Sequence, residues 1–168
     1  MCIRDSNTTG FMVGKKHEQN GMINSGSQLI HAVAGSTVPH ISLQIGNSYG
    51  AGNYAMCGRS FNPRFLFSYP NSKSGVMGAD QLAGVMEIVK RRSAQSLNKE
   101  IDEKLLQEEK KQLADQADKK ASVWHTTSEV WDDGVIDPRD TRKYLSLSLA
   151  AVYKSEIKGT SSFGVFRM

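Results

Sequence analysis

The sequence predicts an α/β fold, and three observations carry that expectation. Short apolar runs that read as strands alternate with helix-patterned stretches between Ser25 and Val89. The last third repeats the theme, with a turn, a very short strand and a capped helix in succession. The chain has 168 residues with 39% apolar content, enough for one domain of ordinary size with its own core. The formal net charge of +4 is mild and not gathered in one block, so nucleic acid is not expected as a partner. No apolar run reaches the roughly 18 residues of a membrane span, so no membrane insertion is expected. Internal repeats and low-complexity segments are absent.

Residues 10 to 24 are glycine-rich and read as a loop. From Ser25, a capping residue followed by Leu29, Ile30, Val33 and Ala34 predicts a short packed helix closed by Pro39. His40 to Ile45 reads as a buried strand, and Phe65 to Phe67 and Ser74 to Met77 as two more. Asp80 starts a helix whose apolar face is Leu82, Val85, Met86 and Val89, at i, i+3, i+4, i+7 spacing. The stretch from Lys90 to Lys120 is dominated by charge. Ile101, Leu105, Leu113 and Ala117 sustain a thin apolar stripe there, and Glu100–Lys104 and Asp115–Lys119 have the spacing of helical ion pairs. A solvated outer helix over residues 98 to 120 is expected, suited to a partner. Asp132-Asp133-Gly134 then reads as a turn and Val135-Ile136 as a strand. Asp137 is placed to cap a helix with Pro138 at its first position, running to about Tyr153.

The stretch with most chemical content is Ser48 to Ala55, "SYGAGNYA". It follows a strand and opens toward a helix, and its G-x-G-x-x-A outline is that of a dinucleotide-binding turn. Such a turn needs an acidic residue about 20 positions on, to hold the ribose hydroxyls. There is no Asp or Glu between Glu18 and Asp80, and Tyr69-Pro70-Asn71 stands where the acid should be. The nucleotide reading fails on that gap. A carboxylate pair for general acid–base chemistry has no candidate beside the loop either. What remains is the backbone: glycine permits close approach of the main chain, and the first amides of a helix have no partner inside it. The loop is then either an oxyanion hole or a tight strand-to-helix turn, and the residues alone leave both open.

Cys2 and Cys57 make no metal or redox spacing, and Cys57 reads as a small buried apolar residue. The four histidines show no ligand spacing. The clustered aspartates at 132, 133 and 137 are accounted for by turn and cap chemistry, so no metal is expected. Asn7-Thr8-Thr9 fits a glycosylation sequon, which carries no weight without a secretory signal.

Several motifs in order, "GFMVG", "SYGAGNYAMCGRSFNPRFLFSYPN", "VMGADQLAGV", "WDDGVIDPRDTR" and "FGVFRM", resemble the carboxyltransferase (β) subunits of biotin-dependent acyl-CoA carboxylases. The resemblance covers residues 7 to 168 and is strongest to the methylcrotonoyl-CoA carboxylase β chain, with its geranoyl-CoA relative next. It implies a crotonase-like (ClpP/crotonase) fold of ββα units. It places residues 7–168 in the C-terminal carboxyltransferase domain, incomplete at its N-terminal side. Residues 1–6 match nothing in the family pattern and are expected to be a non-native leader. The acyl-CoA half of such a subunit is absent, so the chain alone is expected to be inactive.

The resemblance further implies that the backbone amides of Ala51 and Gly52 form an oxyanion hole for the ureido oxygen of biotin, with Gly50 shaping the turn. Gly78-Ala79, a second glycine turn, is implied to line the same cleft. Biotin would arrive as carboxybiotin on a biotinylated α subunit. The other implied partners are further β subunits, in a hexameric core, and an acyl-CoA substrate. The implied reaction is the carboxyltransferase step on a branched unsaturated acyl-CoA such as 3-methylcrotonoyl-CoA, as in leucine catabolism. The implied setting is the bacterial cytoplasm or the mitochondrial matrix.

The family commonly has Gly-Gly-Glu-Gln-Ala-Ala where this chain has Gly78-Ala79-Asp80-Gln81-Leu82-Ala83. It also often has Gly at Ala55 and Trp at Tyr69. No backbone donor is removed, but the acyl group is left open among 3-methylcrotonoyl, geranoyl, propionyl and acetyl. A stand-alone crotonase-type hydratase or isomerase would need a carboxylate pair near the loop. A non-catalytic assembly module would use the outer helix.

Overall fold

The computed structural model describes residues 2 to 162; the "FGVFRM" motif at 163 to 168 lies outside the described residues. A five-stranded, wholly parallel sheet forms the centre, in the order β1 (Cys2–Thr8), β2 (His40–Tyr49), β3 (Phe65–Ser68), β5 (Gly134–Val135). The short β4 (Lys73–Gly75) also pairs with β2, along the same edge as β3 but further on, from Asn47 to Tyr49. The helices are α1 (Lys15–Gln19), α2 (Met22–Ala34), α3 (Gly50–Ala55), α4 (Ala79–Ser96), α5 (Glu103–Ala121), α6 (Val123–Ser128) and α7 (Thr141–Val152). The α/β expectation therefore holds, and the parallel sheet follows from the helical crossovers.

The pleat of β2 and β3 sorts the sheet into two chemistries, because alternate residues face opposite sides. Leu43 and Phe67, on odd positions, form the core with Ile136, and Ile45, Phe65, Tyr69 and Tyr144 pack against it. The Phe67 and Tyr144 rings lie 5.6 Å apart, and the Tyr69 hydroxyl meets the Thr141 hydroxyl at 2.6 Å, docking α7 on this face. The even positions, Ser42, Gln44, Leu66 and Ser68, turn to the other face and are all buried. Three of those four are polar, so that face is built for hydrogen bonding as well as for packing.

Several expected elements differ. The stretch expected as a loop contains α1, and α2 starts at Met22, not at a Ser25 cap. The left-handed Gly21 (φ 81°) precedes α2 and its carbonyl accepts from the Ser25 amide. Phe11 lies against α2 at Gly26, where a β-carbon would stand 2.5 Å from its ring. Cys2 to Thr8, which include most of the leader expected over residues 1–6, form β1 in register with β2.

The outer helix expected over 98 to 120 is α5, and it forms a hairpin with α4. The residues buried in the two helices are Ala83, Leu106 and Ala121, whereas Val85, Met86, Val89 and Leu105 remain exposed. The face of α4 that meets α5 is therefore set by the pairing of the two helices and not by the apolar periodicity of α4. Neither intrahelical ion pair forms. Glu87 instead pairs with Lys110 (2.9 Å) and Arg91 with Glu103 (2.7 Å), and Lys90 pairs with Glu109, all between the two helices. Asp137 does accept from the Arg139 amide, as a cap should, but the first turn it caps is a 3₁₀ turn (Pro138–Asp140) leading into α7. The expected strand at Val135-Ile136 is Gly134–Val135 in the sheet, followed at once by the buried Ile136.

Candidate active site

The site grows from the C-terminal end of β2. Tyr49 is still extended (φ −119°, ψ 144°), and Gly50 then turns the chain into α3 with φ +55°, a conformation that favours glycine. Tyr49 pairs with Gly75, which brings the Val76 carbonyl against Gly50. No side chain caps α3. Among the described residues, no carbonyl outside the helix takes the Ala51 or Gly52 amide. These are the positions where a short helix leaves its N–H groups open.

The turn is pinned from behind. Asn53 Nδ2 donates to Ser48 Oγ at 2.8 Å, and Ser6 Oγ on β1 reaches the same oxygen at 3.3 Å. Gly58 leaves room for the Asn53 amide: a β-carbon there would stand 2.1 Å from Asn53 Oδ1. Below, Ser42 Oγ donates to the Cys57 carbonyl at 2.7 Å, holding Cys57 with φ 58°. Cys57 is 1% exposed, and burial pushes its thiol above the usual range. Burial likewise raises the phenol of Tyr49.

In front of this turn opens a cleft of about 510 Å³, mainly apolar, whose wall includes Gly50, Ala51, Gln44, Leu66, Val76 and Asp132. Gly50 and Ala51 thus reach the cleft. Gly52 is buried behind them against Thr8 and Gly10. Gly78 and Ala79 are not on the wall: Gly78 precedes α4, accepting from the Leu82 amide, and the wall from this segment is made by Ser74, Gly75 and Val76.

Asp132 also lines the cleft, and the sequence reading did not place it there. It sits 81 positions after Ala51 in a stretch explained by turn chemistry, and only the parallel topology brings it here. Its neighbour Asp133 does serve structure. The Asp133 amide donates to the Leu66 carbonyl and its carboxylate accepts from the Leu66 amide, both at 2.7 Å. Asp132 Oδ2 accepts from Ser68 Oγ (2.7 Å) and Thr127 Oγ1 (3.0 Å). Asp132 Oδ1 is closed off from solvent and has no hydrogen-bond partner.

A second, more polar cavity of about 600 Å³ lies at the other ends of β2 and β3, and shares Arg59, Leu66, Trp131 and Asp132 with the cleft. His40 on its wall is 8% exposed with neither ring nitrogen bonded, and burial, helped by Arg4, lowers its pKa. Arg59 is committed to the Val130 carbonyl.

Comparison with known proteins gives a consistent answer. Residues 6–166 match the carboxyl transferase domain. A probable biotin-dependent acyl-coenzyme A carboxylase β2 subunit of Mycobacterium tuberculosis is 52% identical over 162 residues, 96% of this chain and 31% of that protein. The mitochondrial methylcrotonoyl-CoA carboxylase β chain of Dictyostelium discoideum is 44% identical, over 96% of this chain and 28% of that protein. Among solved structures, the β subunit of P. aeruginosa geranyl-CoA carboxylase superposes with a TM-score of 0.81 at 43% identity, covering 97% of this chain and 31% of that one. The chain therefore spans a little under a third of the length of these relatives.

Proposed function

The chain belongs to the carboxyl transferase family, with the crotonase-like fold of its carboxyltransferase relatives, and from that premise we propose that the Gly50 cleft receives the ureido ring of biotin. The observation that carries this reading is the pair of uncommitted amides at Ala51 and Gly52 on a glycine turn, of which Gly50 and Ala51 line a mainly apolar cleft and Gly52 lies buried just behind. The cleft residues suit a planar cyclic urea: donors on the loop for its carbonyl oxygen, apolar walls from Leu66 and Val76, and room for a bicyclic ring.

Biotin, carried on a biotinylated α subunit, supplies the transferable carboxyl group and a ring nitrogen basic enough to take the substrate's proton. The chain's own contribution is electrostatic. The Ala51 and Gly52 amides would donate to the ring oxygen and would need no reorganisation, because the turn already holds them. Asn53 and Ser48 fix the turn, and Gly50 allows the close approach. No protein base is needed, in keeping with a loop that has no carboxylate pair beside it.

The substrate class we propose is a branched unsaturated acyl-CoA, 3-methylcrotonoyl-CoA first and geranoyl-CoA second, a reading that the names of two relatives support. The acyl-CoA half of the site and an oligomeric core of β subunits belong to the same proposal. The test is Ala51→Pro or Gly52→Pro in an intact β subunit reconstituted with its biotinylated partner. Proline is tolerated in the first turn of a helix but lacks the N–H. Carboxylation should fall by about 10²–10³. Full carboxylation by a correctly folded variant refutes the assignment. The 168-residue chain alone, given free biotin and acyl-CoA, should show no turnover.

A further inference from the structure

Gln44 is the polar side chain that the sheet itself presents to the cleft. It is 6% exposed and lines the wall together with Gly50, Ala51 and Leu66. Its in-register neighbours are Ser6 on β1 and Ser68 on β3. Both hydroxyls are committed, Ser6 to Ser48 and Ser68 to Asp132, so neither strand offers Gln44 a partner. Among the described residues, the buried unbonded atoms sealed from solvent belong to His40 and Asp132. The Gln44 carboxamide, equally unbonded, is open to the cleft. A buried polar side chain is nearly always bonded, and the fold leaves this one to whatever enters the cleft. The other polar side chains of the wall have no such need. Tyr54 and Ser60 are exposed and Ser74 is half-buried, so water serves them, while Asn53 and Thr126 donate within the fold.

Resting on the biotin reading above, we propose that the Gln44 carboxamide pairs edge to edge with the cyclic urea whose oxygen the Gly50 loop holds. A primary carboxamide carries an N–H donor and a carbonyl acceptor side by side in one plane. One edge of a cyclic urea carries the same two groups, a ring N–H next to the carbonyl oxygen. Set against each other they make two hydrogen bonds. Gln44 Nε2 donates to the urea oxygen, joining the loop amides there, and the ring N–H donates to Gln44 Oε1. A neutral amide does this without bringing a charge into a mainly apolar cleft. A ring substituted on one nitrogen keeps the N–H on the other, so the pair also chooses the edge that faces Gln44 and turns the substituted nitrogen away. A loop gripping one oxygen leaves the ring free to turn about that contact, and the second contact fixes its plane. Gln44 is a binding residue in this account and takes no proton.

The test compares 1-methylimidazolidin-2-one, which keeps one ring N–H, with 1,3-dimethylimidazolidin-2-one, which has none, by titration against the 168-residue chain. The wild-type chain should prefer the monomethyl urea by about tenfold, the scale of one or two neutral hydrogen bonds. Gln44→Met, of similar length without the amide, should lose most of that preference. A merely structural role would weaken both ureas alike, so the ratio is the readout. In the wild-type chain, the Gln44 side-chain carbonyl carbon resonance should move downfield with the monomethyl urea, whose N–H it accepts, and by much less with the dimethyl urea. That measurement serves if the variant does not fold. An unchanged ratio in folded Gln44→Met, or equal resonance shifts at saturation with the two ureas, overturns the Gln44 assignment while leaving the loop reading intact. Failure of the wild-type chain to bind either urea overturns both.

Discussion

The Val76 carbonyl oxygen lies 2.9 Å from where a β-carbon on Gly50 would stand, and Gly50 has φ +55°. Both facts forbid a side chain at the mouth of the cleft. Gly50→Ala should cost about 1–2 kcal/mol for the left-handed conformation alone, with the carbonyl contact adding to it. Urea denaturation should show the loss. A Gly50→Ala variant as stable as wild type would show that Gly50 does not hold this turn.

Asn53 and Gly58 form a coupled pair. A methyl group at Gly58 would displace the Asn53 amide and remove its hydrogen bond to Ser48. Asn53→Ala and Gly58→Ala should each cost about 1 kcal/mol, the worth of one hydrogen bond. Combined, they should cost no more than either alone, because the second change meets an already empty space. A double-mutant cycle that comes out additive contradicts this arrangement.

The two thiols should differ in reactivity. Cys57 is buried with its thiol shifted upward, which disfavours the thiolate, whereas Cys2 is half-buried. Titration with a thiol reagent at about pH 8 should modify Cys2 quickly and Cys57 only in denaturant. Fast labelling of both in the native chain would mean that the Ser42–Cys57 region opens readily.

His40 predicts a pH dependence of defined sign. Burial, with Arg4 adding to it, holds its folded pKa below the ordinary 6.5, so the unfolded chain binds more protons. Its penalty is absent above about pH 6.5 and grows as pH falls from there through the lowered folded pKa. The urea midpoint should therefore drop between about pH 7.5 and about pH 5.5, above the carboxylate range. His40→Phe should flatten that part of the curve, and an equal slope in the variant would assign the effect elsewhere.

What the sequence by itself determined was local. The strand at His40, the glycine turn after it, the cap at Asp137 and the α4 start near Asp80 are written in backbone preferences that act over a few residues. The resemblance in several motifs also carried the family. The choice of buried face on α4 was not legible, because Ala83 is covered only when α4 meets α5, a separate helix further along the chain. Ion-pair partners in the charged hairpin were equally out of reach, since Glu87 could not name Lys110 before the two helices met.

The same distinction separates the two halves of the candidate site. Gly50, Ala51 and Gly52 are contiguous, so their turn could be read as a unit from one short stretch of sequence. Asp132 reads as an ordinary turn aspartate until β5 joins β3 and α6 packs beneath the sheet, setting Ser68 and Thr127 on one of its oxygens. Parallel pairing brings together residues far apart in sequence, and no local preference encodes which ones. The glycine turn of the cleft was legible in the sequence, and the approach of Asp132 to the same wall was decided by tertiary structure.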